Sequence, residues 1–222
     1  MCGRFTLNSS SKDIALQFKL LEEPSWRPRY NIAPTQTSLV ILGQENTQIA
    51  QMGKWGFKSS RSPIESKSIP LINARWETVA DKPSFRDAFR NRRCLVAASS
   101  FFEWQTLSGI KQPWLFHLPK RKIFSMAGLW QENTSAETCE LEFTILTQPA
   151  KGKISQIHHR MPLILPQEHE ALWLSGSTAQ VSSIISTDDC GLTCHRVTQQ
   201  TNRVSFEEPS CLDPVPEEDL LF

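Results

Sequence analysis

Between residues 38 and 198 the chain is a succession of short, apolar, β-prone runs with helical pattern only here and there between them. The runs cover residues 38–42, 48–55, 94–98, 101–105, 114–118, 124–129, 142–147, 161–165 and 194–198. Residues 43–47 read as a hairpin loop between the first two. Helical spacing is confined to residues 11–21, 84–92, 167–174 and 179–185, with Ser10 or Ser11 and Ser84 as caps. Parallel sheets need a long crossover, usually a helix, between consecutive strands. This chain has too few helices for that. The pattern therefore predicts an α+β domain with a mostly antiparallel, barrel-like β core and a few peripheral helices.

A chain of 222 residues with 39% hydrophobic and 21% charged residues is long enough for one domain with a real core. Its net charge of +1 announces no nucleic-acid partner. Residues 207–222, however, hold six acidic side chains and no basic one, which leaves the rest net positive by about seven charges. That body can carry a local basic groove. The acidic, Pro-rich end is expected to be poorly ordered from about residue 209. The six cysteines at 2, 94, 139, 190, 194 and 211 are scattered rather than arranged as a framework. No apolar leader precedes them, and no apolar segment approaches membrane-spanning length. Free thiols in a reducing cytoplasm are the expectation, with no membrane partner. Cys190, Cys194 and His195 suggest zinc only until their three-residue spacing and missing second pair are considered. No metal and no cofactor is expected.

Cys2 carries the most distinctive chemistry. An initiator methionine before a small residue is normally trimmed, which would leave Cys2 with a free α-amine beside its thiol. The amine can add to an aldehyde and lose water; the thiol can then close on the imine carbon to form a thiazolidine. With pKa values of about 8 and about 8.5, both groups are partly nucleophilic at neutral pH. The plain alternative is an incidental cysteine on a frayed terminus.

Three polar residues interrupt apolar stretches. Glu103 sits among Phe101, Phe102 and Trp104, where a carboxylate is costly and its pKa should rise, as suits a general acid or base. His158 precedes an apolar run and can shuttle protons near pH 7. Asn73 can hold an amine or an oxyanion by hydrogen bonds. Singly, Glu103 fits the wet face of a strand, His158 a structural role, and Asn73 a turn; His159 fits solvent. Together with Cys2 they supply a nucleophile, a proton acceptor, a proton donor and an orienting amide. Arg4, Arg75 and Arg160 each lie within two residues of one of the four, which suggests a grip on phosphate or ordinary surface pairing. Phe5, Trp55, Trp76 and Trp104 could stack bases, though core packing suits most of them better.

Met1-Cys2-Gly3-Arg4-Phe5, Arg29-Tyr30-Asn31-Ile32-Ala33-Pro34, Ile72-Asn73-Ala74-Arg75-Trp76-Glu77, Phe102-Glu103-Trp104 and His158-His159-Arg160-Met161-Pro162 resemble, in this order, the signature blocks of the SOS-response-associated peptidase (SRAP) family. Trp55-Gly56, Lys111-Gln112-Pro113 and Ala127-Gly128-Leu129-Trp130 agree. The likeness spans residues 2–214, which the resemblance marks as one domain, followed by an acidic tail at 215–222. It implies the SRAP fold and a groove for single-stranded DNA containing abasic sites. It also implies that mature Cys2 captures the ring-opened abasic aldehyde and ends as a thiazolidine crosslink that shields the lesion. Asn73 and Glu103 would then orient and deprotonate the Cys2 amine, while His158 relays protons to the sugar. Arg4, Asn31, Pro34, Arg75, Trp104, Thr147 and Arg160 would line the DNA path of a monomer. The family name adds a peptidase claim, here self-removal of Met1. Two stretches depart from the family pattern. Residues 56–68 lack a tryptophan, leaving Lys58, Arg61 and Lys67 for phosphate, and Ser99-Ser100 stand where an acidic residue and a glycine are expected. A thiol peptidase acting on proteins and a non-catalytic single-strand binder are the rival readings.

Overall fold

A computed structural model describes residues 2–45, 47–58, 69–133, 140–183 and 191–215. It contains two sheets. The first has five strands: β1 (Arg4–Leu7), β2 (Arg29–Ile32), β7 (Ser100–Leu107), β8 (Ile110–His117) and β13 (Thr193–Arg196). They lie in the order β13-β8-β7-β1-β2, all antiparallel. The second sheet comprises β3 (Thr37–Gln44), β4 (Thr47–Trp55), β5 (Asn73–Arg75), β6 (Arg93–Ala98), β9 (Phe124–Asn133), β10 (Glu140–Pro149), β11 (Arg160–Pro162) and β12 (Ile164–Leu165). Within it β10, β4, β3, β6 and β9 pair in a closed ring, since β9 also pairs with β10. Only β4 and β5 run parallel to their neighbour, both on β10. The result is an α+β fold dominated by antiparallel strands.

The β4–β5 connection depends on Gly56. Its φ of +126° is closed to ordinary side chains, and an added Cβ would meet Pro70 Cβ at 2.7 Å. The turn lets Gly56 N–H donate to Phe143 O (2.7 Å), so that β5 follows β4 along the same edge of β10. The step from β6 to β7 carries the chain from one sheet to the other. Here Ser99 N–H donates to Thr6 O (2.7 Å), the Ser100 and Thr6 hydroxyls bond at 2.6 Å, and Ser99 Oγ accepts from Asn8 N–H at 3.2 Å. The serines that depart from the family pattern thus build this corner through their hydroxyls.

The ring interior and the facing side of the five-stranded sheet form one core. Phe5 meets Trp55 edge-on (5.1 Å), and Phe101 stacks on Phe116 (5.2 Å). The outer side of the five-stranded sheet is covered by the C-terminal segment. Phe102, Leu115, Val197 and Cys211 pack there with Tyr30, Trp104, Phe206 and Leu212 at the margin.

Several sequence expectations change. Helix α1 spans Ser11–Phe18, capped by Ser10, and stops at left-handed Lys19. Of the apolar residues Ile14, Leu16, Phe18 and Leu21 in its expected span, Ile14 and Phe18 are buried, whereas Leu16 is 69% and Leu21 84% exposed. Helix α2 (Arg86–Asn91) starts past Ser84 and has no side-chain cap. The expected helix at 167–174 splits into a 3-10 turn, Gln167–His169, and α3 (Glu170–Ser175). Helix α4 is Thr178–Ser183; the remainder of its expected span lies outside the described residues. Strands β2 and β5 are additions. The hairpin turn between β7 and β8 has Ser108 (φ 48°) and Gly109 (φ 85°) in the left-handed region that two-residue turns use. Residues 209–215 are packed rather than disordered. A 3-10 turn at Pro209–Leu212 buries Cys211, and Val197 bridges Pro214. Residues 216–222, Met1, Cys139, Cys190 and, in the 56–68 loop, residues 59–68 with Arg61 and Lys67 lie outside the described residues. Among the described residues no helix is long and apolar enough to cross a membrane, and no cluster of His, Cys, Asp or Glu could hold a metal ion.

Candidate active site

Four separate elements deliver the four residues singled out by their chemistry. Cys2 precedes β1 and is fully buried against the core. Asn73 opens β5, and its Nδ2 donates to Cys2 O at 2.9 Å. Its Oδ1 is buried and, among the described residues, has no hydrogen-bond partner, an acceptor held beside Cys2. Glu103 lies mid-strand in β7, 2% exposed. The register sets it on the core-facing side, because Glu103 is two residues from Phe101, which pairs with Phe5. His158 leaves the 3-10 turn Gly152–Gln156, and its Nδ1 lies 3.8 Å from Glu103 Oε2. The His158 side chain is 20% exposed against 3% for Glu103, so the imidazole is the member of the pair more open to solvent.

Electrostatics divide the roles. Burial pushes the Glu103 carboxyl up to about 7, which places its titration where an amine or imidazole can exchange protons with it. Burial, and then the Glu103 charge, push the Cys2 thiol well above its usual range, so the sulfur is held as a neutral thiol. Burial lowers the His158 pKa, which keeps the ring neutral at pH 7. Its Nδ1 is 3.0 Å from both the N–H and the carbonyl O of Arg160. A neutral ring accepts from that N–H, whereas a protonated ring can donate to that carbonyl.

The residues expected along a DNA path fall into two groups. Thr147, Arg75 and Arg160 surround the site: Arg75 pairs with Thr147 across β5 and β10 and is exposed. Arg160 is 7% exposed. Its guanidinium forms a two-pronged pair with Glu77 and donates to Thr147 O (2.6 Å) and Oγ1 (3.2 Å). Arg4, Asn31 and Trp104 belong to the opposite face of the five-stranded sheet. Arg4 donates to Asn31 Oδ1 (2.7 Å) and Thr201 O (3.0 Å) and lies over the Trp104 ring at 5.8 Å. Trp104 Nε1 donates to Asn202 Oδ1 (2.6 Å), and buried Asn31 donates to three backbone carbonyls of residues 201–206. Pro34 is half-buried in the turn between β2 and β3. Phe5 and Trp55 are core residues, Trp76 packs on Phe89 and Trp173, and His159 is exposed with its ring stacked on His158 at 4.4 Å.

Glu77 and Asn202 were not singled out in the sequence. Glu77 could have been, since it ends the Ile72–Glu77 block as a carboxylate two residues after Arg75. Asn202 gave no signal, because its partner Trp104 is 98 positions away.

The model of the SOS response associated peptidase (SRAP) family matches residues 1–204. The chain is 38% identical to the abasic site processing protein YoqW of Bacillus subtilis (strain 168) over 181 residues, 79% of this chain and 80% of that protein. It is 28% identical to the abasic site processing protein HMCES of Gallus gallus over 233 residues, covering 88% and 68% of the two chains. It is 26% identical to the abasic site processing protein YedK of Escherichia coli (strain K12), covering 97% of this chain and 100% of that one. A crystal structure of a protein from Bacteroides thetaiotaomicron superposes with a TM-score of 0.84 at 22% identity over 97% of this chain and all of the other, which speaks to the fold alone. A family match over most of the length, and a relative this similar over four-fifths of its own, have one reading: the chain belongs to the SOS response associated peptidase family.

Proposed function

We propose that this protein processes abasic sites in DNA by linking itself to them through Cys2. Loss of Met1 frees the Cys2 amine. The amine nitrogen adds to the C1′ aldehyde of a ring-opened abasic sugar, and the carbinolamine loses water to give an imine. The Cys2 S–H then adds across the C=N bond: sulfur bonds to carbon and the proton ends on nitrogen, closing a thiazolidine. One water leaves overall. The observation that carries this reading is the placement of Asn73 on the Cys2 carbonyl at 2.9 Å with the Glu103–His158 pair at 3.8 Å in the same centre.

In this mechanism Glu103 accepts the proton of the ammonium form of Cys2, and Asn73 Oδ1 accepts an N–H of the resulting amine. His158 passes the proton of the C1′ hydroxyl to the sugar oxygen as the ring opens, and protonated Glu103 returns its proton through His158 to the carbinolamine hydroxyl as water departs. The order of events follows from the thiol, which burial keeps protonated, so that nitrogen attacks first. The same burial weighs against a peptidase that works through a free thiolate. Arg75, exposed beside the site, contacts phosphate, while Arg160 holds Thr147 and Glu77 in place for it. The partner is single-stranded DNA, in which the sugar can reach a buried cysteine, and the chain acts as a monomer.

The test is the intact mass of the protein after incubation with a single strand holding one abasic site. The expected product weighs the sum of both less one water. Cys2→Ala and Cys2→Ser keep the amine but lack the thiol, so each should give no stable adduct and only a borohydride-trappable imine. A stable Cys2→Ala adduct at the wild-type rate overturns the mechanism.

A further inference from the structure

The strand register extends the Glu103 side of the five-stranded sheet beyond the four residues already placed. Glu103 pairs directly with Trp114 on β8, and Trp114 pairs directly with Arg196 on β13. Directly paired residues share a face, so Glu103, Trp114 and Arg196 form one row across three strands. Phe101, Phe116 and Cys194 make the next row toward the core, while Phe102, Leu115 and His195 point the other way. Phe101 and Phe116 are fully buried, whereas Cys194, Trp114 and Arg196, nearer the β13 edge, are half-buried.

The row is built as a platform. Trp114 Nε1 donates to Gln105 Oε1 (3.2 Å), which fixes the indole plane. Arg196 lies over that indole at 5.1 Å from the ring centre. Among the described residues Arg196 has no carboxylate partner, and its buried Nε makes no hydrogen bond. Of the arginines expected along the DNA path, Arg75 is exposed beside the site, Arg160 pairs with Glu77, and Arg4, on the opposite face, donates to Asn31 and to backbone carbonyls. Lys153 adds a further positive charge, close enough to act on the neighbouring Cys194 thiol.

The geometry points to a nucleotide subsite on Trp114 and Arg196: the base next to the abasic sugar stacks on the Trp114 side of the platform, and its phosphate pairs with the Arg196 guanidinium. This rests on the proposed capture of abasic DNA at Cys2 and deepens it, because it says where the strand goes after leaving the catalytic centre. An aromatic ring with an unpaired guanidinium matches a single-stranded nucleotide in both its π-face and its charge. The row is continuous with Glu103, so a strand whose sugar reaches Cys2 lies within reach of it.

The test measures binding of full-length Cys2→Ala protein to two single strands. One has a lone abasic site; in the other the two flanking nucleotides also lack bases, at equal phosphate count. Trp114→Leu should weaken binding to the first by about fivefold or more, and this effect should vanish on the second. Trp114→Phe should restore most of the loss. Arg196→Ala should weaken binding to both and lower the slope of log affinity against log salt by about 0.7; Arg196→Lys should recover that slope. In the Cys2 protein these changes should fall on the DNA concentration giving half-maximal adduct rate. Equal Trp114→Leu losses on both strands, or an Arg196→Ala protein with wild-type affinity and slope, overturns the subsite. An absence of adduct in the wild-type protein instead overturns the reading on which it rests.

Discussion

At the scale of the residue, Glu103 shows how one side chain is fitted to chemistry at a cost in stability. A carboxyl buried on the core-facing side of β7, the side that also bears Phe101, loses its hydration, and its pKa climbs from the usual 4.5 to about 7. The folded state therefore holds this proton more tightly than the unfolded one. The resulting stability is fully present below about pH 4.5 and is lost as pH rises through about 7. Glu103→Gln stays neutral throughout, so its stability should match that of the wild type near pH 4 and exceed it above pH 8, by about 3 kcal/mol at most. Activity should move the opposite way. Crosslinking by the wild type should accelerate as pH rises through about 7, where Glu103 becomes a base. Glu103→Gln should lose that limb and run about 100-fold or more slower. A pH profile of adduct formation checks the second claim and thermal melts check the first; a variant both slower and less stable at pH 8 would refute the account.

At the scale of the element, two junctions matter more than any strand. The Ser99 corner moves the chain between sheets, so that Glu103 on β7 comes to face the ring. Gly56 moves the chain from β4 to β5 and so sets where Asn73 begins. Pro70 and Ile72, which an added Cβ at residue 56 would strike at 2.7 and 3.4 Å, are the residues that lead into Asn73. Gly56→Ala should cost about 1–3 kcal/mol through strained backbone and collision. It should also slow adduct formation beyond what its stability explains, because Asn73 shifts relative to Cys2. Denaturant melts together with crosslinking rates at a temperature where the variant is folded provide the measurement.

At the scale of the molecule, the C-terminal segment acts as a clamp. Asn31 donates to the carbonyls of Thr201, Arg203 and Phe206 at 3.2, 3.0 and 2.7 Å, and Arg29 pairs with Glu207. The clamp covers Phe102 and Leu115 on the outer side of the sheet whose inner side bears Glu103. Asn31→Ala leaves buried carbonyls without donors and should lower stability by about 2 kcal/mol or more. Limited proteolysis should then cut first between residues 199 and 215. If Asn31 also touches DNA, its loss should lower affinity at temperatures far below the melt; if the clamp is its whole role, affinity there should equal that of the wild type.

The fold class was legible because many short apolar runs with few helices between them leave a mostly antiparallel sheet as the way to bury them. Cys2 was legible because its position would give it an amine beside its thiol, and Asn73, Glu103 and His158 because each puts a polar group where its neighbours are apolar. What the sequence could not display was anything decided by register. Arg4 and Glu103 both border the Cys2 block in chemistry, yet strand pairing sends Arg4 to the clamp side and Glu103 to the core side. Trp114 and Arg196 are 82 residues apart and become neighbours only because β13 is laid on β8 in one alignment. The stretch from about residue 209 reads as an acidic, Pro-rich tail, yet residues 209–215 are packed, behind a segment whose carbonyls at Thr201, Arg203 and Phe206 accept from Asn31. Local composition and periodicity determine which elements form. Which side chains meet depends on long-range pairing, where a slip of one residue would exchange the two faces of the sheet.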